Sequence, residues 1–317
     1  MSEATTELSG GVIGFKDEIA IIQSAISDFK KTGQKSNIAI LSDPFGGKTT
    51  LIDEIEKINS EIVSKISFSS IVKNKDSLKV LDQSNEILMV DDCHFLYMRK
   101  IGGFAIIEDF LRMVPSYNKL FITTWNSYSW RYLIEIFDID QFFPIQINLP
   151  GFTSTETKEL LLSMYDMDQI KFVEDVDKKK IRSTPFSLFR KRQKAMTAEN
   201  EVFEKIKQVS HGNPGIARII WDKSLESQTI KPSQIKAFSL RSKPEYNEAF
   251  ILSIILSMKS INKEELMEII EPESPLDMIL YKLSKEGLIA VDEERYSIMP
   301  EALYSIIDFL KKFKLVW

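Results

Sequence analysis

Ser42-Asp43-Pro44-Phe45-Gly46-Gly47-Lys48-Thr49-Thr50 is the stretch that decides the fold. It follows the apolar run Asn37-Ile38-Ala39-Ile40-Leu41 and precedes a helical pattern from Thr50 to Ile58. The pattern is that of a phosphate loop, G-x-x-x-x-G-K-[ST], with Ser42 in place of the first glycine. A strand before and a helix after are the context in which such a loop works. Gly46 and Gly47 let the backbone turn its N–H groups toward phosphate oxygens, at a helix N-terminus already favourable to anions. Asp43, Pro44, Phe45 and Thr50 complete the cradle. Lys48 is placed to reach the β- and γ-phosphates, and the Thr49 hydroxyl to ligate Mg²⁺. The plainer alternative is a glycine turn with a chance Lys-Thr-Thr, which explains neither neighbour.

Further apolar runs recur with helical patterns between them. Glu86 to Asp91, Lys119 to Thr124, Pro144 to Leu149 and Ile62 to Phe68 read as strands, and Asp17 to Lys31 as a helix. Continuous apolar strands are what a parallel sheet covered on both faces requires. The expected fold class is therefore α/β, a parallel-sheet nucleotide-binding domain over residues 1–151.

A phosphate loop needs a carboxylate at the end of a neighbouring strand to anchor its metal. Ile87-Leu88-Met89-Val90-Asp91-Asp92 supplies one. Asp91 is expected to hold Mg²⁺ through water, and Asp92 to orient or deprotonate the attacking water. Aspartate is one methylene shorter than glutamate, so slow turnover is expected. Thr123-Thr124-Trp125-Asn126 leaves the next strand, and Thr124 and Asn126 are candidates for touching the γ-phosphate or the water. Arg131 follows in a helix and would serve a nucleotide in trans if the protein forms an oligomer.

After Pro150-Gly151 the text turns helical. Helices are expected from Ser154, from Ala198 to Ser210 and from Gly215 to Glu226, the last two split by Gly212-Asn213-Pro214. They make a helical lid over 152–243. The last segment, 244–317, reads as three helices, the strands Leu288–Val291 and Arg295–Ile298, and a closing helix, the order of a winged helix.

Together these residues resemble the archaeal ATPase family, of the AAA+/STAND P-loop ATPases and related to the Cdc6/Orc initiators. Val12-Ile13-Gly14 looks like the family's opening motif, whose backbone borders adenine, although Phe15 and Lys16 stand where the family carries arginine. Gly212-Asn213-Pro214-Gly215-Ile216-Ala217-Arg218 resembles its second sensor. The resemblance implies Pro214 against the base and Arg218 on the γ-phosphate. It also implies ATP or ADP as the nucleotide, and a C-terminal winged helix.

Composition bounds the rest. The chain has 317 residues, 44% hydrophobic and 27% charged, the make-up of a globular protein. No apolar run is long enough to cross a bilayer. The acidic start Met1 to Glu7 is unlike a secretory signal, and Cys93 is the single cysteine, so a cytoplasmic protein without intrachain disulfides is expected. Charge is uneven. Residues 1–150 carry 15 Lys/Arg against 20 Asp/Glu, residues 151–245 carry 18 against 13, and residues 246–317 carry 8 against 13.

Much of the middle excess lies in Lys178 to Lys194, the place to look for contact with DNA or another acidic partner. The winged helix suits DNA poorly: the net charge over 246–317 is 8 − 13 = −5, and its wing tip is Asp292-Glu293-Glu294. The expected function is thus a Mg²⁺-dependent ATPase acting as a switch for a protein partner. A DNA-associated ATPase of the Orc/Cdc6 kind and a non-hydrolysing nucleotide-bound scaffold are the alternatives.

Overall fold

The computed structural model describes residues 12–82, 85–165, 169–175, 197–270 and 274–316. Two compact units emerge: Phe15–Pro150 with Ser239–Trp317, and Gly151–Phe238 with the chain up to Gly14. The C-terminal segment packs with the five-stranded sheet in the first of these units. The basic run Lys178–Lys194 lies outside the described residues.

The first unit opens with α1 (Lys16–Thr32), β1 (Ile38–Ser42), α2 (Lys48–Ile58) and β2 (Val63–Ser67). β3 (Ile87–Asp91), α3 (Ala105–Ser116), β4 (Leu120–Asn126), α4 (Ser127–Phe137) and β5 (Ile145–Asn148) follow. All five strands pair in parallel, in the order β2-β3-β4-β1-β5. Every residue of β1, β3 and β4 is buried, as a sheet covered on both faces demands. This is the α/β architecture that the apolar runs predict. Because the strands are parallel, the ends of β1, β3 and β4 open on one edge. That edge is where open α/β sheets bind ligands.

An aromatic cluster holds the sheet to its helices. Trp125 is fully buried, 5.4 Å from Trp130 and 6.2 Å from Phe143 between ring centres, and its indole N–H donates to Thr123 Oγ1 at 2.8 Å. Trp125 belongs to the core.

The second unit holds α5 (Ser154–Met164), β6 (Lys171–Phe172), α6 (Ala198–Ser210), α7 (Pro214–Ser224) and β7 (Thr229–Ile230). Its core is aromatic: Phe203 stacks on Trp221, with Phe172 and Tyr165 beside them. The α6–α7 corner explains Gly212-Asn213-Pro214. His211 ends α6 in a left-handed conformation, and Asn213 caps α7 by accepting from Ile216 N–H at 3.2 Å. A Cβ on Gly212, itself at φ 76°, would lie 2.6 Å from Phe152 O, so only glycine fits.

The C-terminal part of the first unit contains α8 (Tyr246–Met258), β8 (Ser260–Asn262), α9 (Lys263–Ile269) and α10 (Leu276–Lys285). β9 (Ile289–Asp292), β10 (Arg295–Ile298) and α11 (Leu303–Lys312) complete it. The strands form an antiparallel sheet in the order β8-β10-β9. Helix, short strand, two helices and hairpin is the order expected of a winged helix. β8 is an addition to the sequence reading; three residues are too few to show a period.

α8 is buried from Ile251 to Met258, apolar on every side, as a helix enclosed by other elements must be. Its one buried acid, Glu248, is matched by Lys282 at 2.6 Å. Among the described residues no helix is long and apolar enough to cross a membrane.

Candidate nucleotide and metal site

The phosphate loop joins β1 to α2. Phe45 (φ 65°) and Gly47 (φ 90°) are both left-handed, which turns the backbone sharply between β1 and α2. An ideal Cβ on Gly46 would sit 2.6 Å from Ser42 Oγ, so the loop has no room for a side chain there. α2 begins at Lys48 with no side-chain cap on its first N–H groups, which leaves them for an anion. Lys48 is 8% exposed. Its ammonium donates to Ser42 O at 3.0 Å, Ser42 Oγ at 2.9 Å and Asp43 O at 3.2 Å.

The neighbouring carboxylates come from β3. Asp91 Oδ2 accepts from Thr49 Oγ1 at 3.0 Å, and Asp91 Oδ1 accepts from Thr124 Oγ1. Thr124 Oγ1 in turn accepts from the Asp92 N–H at 2.9 Å. Thr124 thus fixes the strand end from which both acids project. A hydroxyl and a carboxylate oxygen at this separation are the hard oxygen donors that Mg²⁺ prefers, together with water and phosphate. The side chains of Thr49 and Asp91 therefore fit that ion.

Asp92 is left-handed (φ 56°) and only 7% exposed. Two groups face its carboxylate. His94 Nδ1 is 3.8 Å from Oδ1, and Lys259 Nζ donates to Oδ2 at 2.5 Å. His94 is fully buried, and neither ring nitrogen has a hydrogen-bond partner among the described residues. Burial, reinforced by Lys48 and Lys259, holds its pKa well below the ordinary histidine value, so the ring is neutral.

Asn126 stands at the end of β4, 1% exposed, with both ends of its amide engaged. Oδ1 accepts from Tyr128 N–H at 3.0 Å and caps α4, while Nδ2 donates to Leu256 O of α8 at 2.7 Å. In this arrangement Asn126 ties the sheet edge to the C-terminal module. Arg131 is elsewhere: with Asp43, Tyr128 and Lys311 it lines a cavity of about 170 Å³. Burial raises the Asp43 pKa, against the pull of Lys48, Arg131 and Lys311. The Asp43 carboxyl hydrogen-bonds Tyr128, and its backbone carbonyl accepts from the Lys48 ammonium. Val12, Ile13, Gly14, Pro214 and Arg218 belong to the other unit. There Gly14 lies under the Phe152 ring, and Arg218 is largely exposed on α7, its Nε 4.0 Å from Asp222.

Burial lowers the Lys48 pKa to about 8, with Lys259 adding to the fall and Asp92, Asp91 and Asp43 opposing it. A phosphate against Lys48 raises that value again. Binding then takes up a proton, and the sign follows from linkage: affinity is level below pH 8 and falls as pH rises through 8. The expected slope approaches about tenfold per pH unit. Titrations between pH 7 and 9.5, in buffers of different ionisation enthalpy, check both the slope and the proton. A flat profile would remove Lys48 from the phosphate site.

No family model matches the chain, and no curated protein does. Among solved structures, the chain is similar to the Aeropyrum pernix ORC2 protein in its ADPNP–ADP complexes. The match has a TM-score of 0.47 at 12% identity, covering 98% of this chain and 97% of that one. The ADP form of the same protein gives 0.45 at 11% identity, over 98% and 97% of the two chains. It is also similar to the Thermotoga maritima RuvB Holliday junction branch migration motor, with a TM-score of 0.44 at 15% identity over 93% of this chain and 95% of that one.

Proposed function

We propose that this chain is an ATPase that binds ATP with Mg²⁺ at Ser42–Thr50 and works as a nucleotide-controlled switch for a protein partner. The observation that carries the reading is the convergence of Lys48, Thr49, Asp91, Asp92 and Thr124 on one edge of the sheet. Lys48 and the α2 N-terminus take the phosphates, Thr49 and Asp91 hold the metal, and Asp92 faces the attacking water. Mg²⁺ supplies neutralisation of the β- and γ-phosphate charge. Val12, Ile13, Gly14, Pro214 and Arg218 keep the adenine and γ-phosphate roles that the family resemblance implies.

A protein partner is favoured over DNA by the C-terminal module. Its wing tip, Asp292-Glu293-Glu294, is exposed, and two cations on or beside α10 are paired with acids, Lys282 with Glu248 and Lys263 with Asp277, while Lys285 donates to the Tyr281 hydroxyl. DNA affinity depends on free cations that neutralise phosphates. Affinity capture with ATP, using the wild type and Lys48→Ala, tests the switch. At least one partner is expected to depend on both ATP and Lys48; recovery of every partner regardless of nucleotide would refute it. A gel shift that is tight and weakens steeply with salt would favour the DNA-associated alternative.

A further inference from the structure

Lys259 is the residue between α8 and β8, and three features single it out. Its backbone is at φ 61°, ψ −53°, close to the γ-turn geometry that side-chain-bearing residues rarely adopt. Its ammonium sits 2.5 Å from Asp92 Oδ2, the oxygen that His94 does not face. And it stands just beyond a helix end that is itself anchored to the nucleotide edge. Leu256 O accepts from Asn126 Nδ2 at 2.7 Å, and Ser257 O accepts from Ser129 Oγ at 2.6 Å. Beyond it, Arg295 donates to Ser260 O at 2.8 Å and holds β8 in place. A strained turn is therefore maintained from both sides, with a cation delivered onto the acid expected to face the attacking water.

We propose that Lys259 is a restraining residue: its ion pair occupies the Asp92 oxygen needed by the attacking water and couples hydrolysis to docking of the α8–β8 corner. The inference rests on the ATPase reading above and adds its regulation. While the pair is made, Asp92 Oδ2 accepts from an ammonium and is closed to water. The pair is also suited to opening. About half of the Lys259 side chain is exposed, 48% against 11% for Asp92, and an ion pair open to solvent on one side exchanges at little cost. Lys259 is close enough to Lys48 to depress its pKa, so the two ammonium groups share a field. A γ-phosphate entering that field attracts both, and drawing Lys259 away frees Asp92 and loosens the corner. A movement of the C-terminal module by a partner has the same effect from the other end.

Lys259→Gly is the variant of choice, because glycine accepts the backbone conformation while the side chain and its ammonium are removed. ATP turnover is expected to rise about two- to fivefold, the range spanned by one half-solvated ion pair. Lys259→Gly combined with Asp92→Asn falls to background. Hydrogen exchange provides an arm independent of turnover: the amides of 256–262 exchange faster in Lys259→Gly and in Asp92→Asn, with no further gain in the double variant. The charge swap Asp92→Lys with Lys259→Asp restores protection but not turnover.

Turnover in the wild type that is unchanged or lower in Lys259→Gly overturns the restraint and leaves the ATPase reading standing. Unchanged exchange at 256–262 in both single variants likewise overturns it. Bound nucleotide with no turnover in any variant overturns hydrolysis and restraint together.

Discussion

Lys48→Ala is expected to weaken ATP binding roughly 10- to 150-fold, the loss of one strong hydrogen bond between charged groups. Its effect on stability is expected to be small, and the reason lies in the burial of the ammonium. Lys48 is 8% exposed and its pKa is depressed to about 8. A base with a folded-state pKa below its unfolded value destabilises the fold at neutral pH, a cost that fades as pH rises from about 8 toward 10.5. Removing the side chain lifts that cost while losing the bonds to Ser42 and Asp43, so the two changes oppose each other. Calorimetric titration with Mg·ATP and urea unfolding separate the effects. A loss of stability as large as the loss of binding would mean that Lys48 is a structural residue first.

Trp125→Ala is expected to have the largest effect on stability, about 3–5 kcal/mol, as for other buried aromatic truncations. Trp125 is fully enclosed among Trp130, Phe143 and Phe110, and its N–H bond to Thr123 is lost with it. Thr123 Oγ1 also donates to Ile38 O at 3.0 Å, so the cavity opens beside the pairing of β1 and β4. Those strands carry the phosphate loop and the end of the sheet edge, and nucleotide affinity should fall along with stability. Urea unfolding measures the first and titration the second. A loss below about 1 kcal/mol would mean that the cluster repacks around the gap.

Much of this was legible in the sequence because the signals are local. The inner strands β1, β3 and β4 come from largely apolar runs, and the phosphate loop is nine consecutive residues whose chemistry is written in their types. Asp91-Asp92 is legible for the same reason, as a polar pair ending an apolar strand. The break between α6 and α7 at Gly212-Asn213-Pro214 is legible too, because glycine and proline mark it locally.

What was not legible depends on distant partners. Nothing around Asn126 says that its amide reaches Leu256, and nothing around Lys259 says that it reaches Asp92. Those contacts form only when α8 docks, and α8, apolar on every side, has no periodicity from which to read the docking face. The joining of 239–317 to the nucleotide-binding unit was hidden for the same reason. A lone histidine offers no pattern in sequence, and the place of the His94 ring beside Asp92 emerges only from three-dimensional packing.

The proposed function stands on one site, the loop from Ser42 to Thr50 with Asp91 beside it. Calorimetric titration of the wild type with ATP, first with Mg²⁺ and then with the metal chelated, tests it most directly. One saturable site per chain is expected, tighter with Mg²⁺ and weakened by Lys48→Ala. No saturable binding, or binding indifferent to both the metal and Lys48, would contradict it.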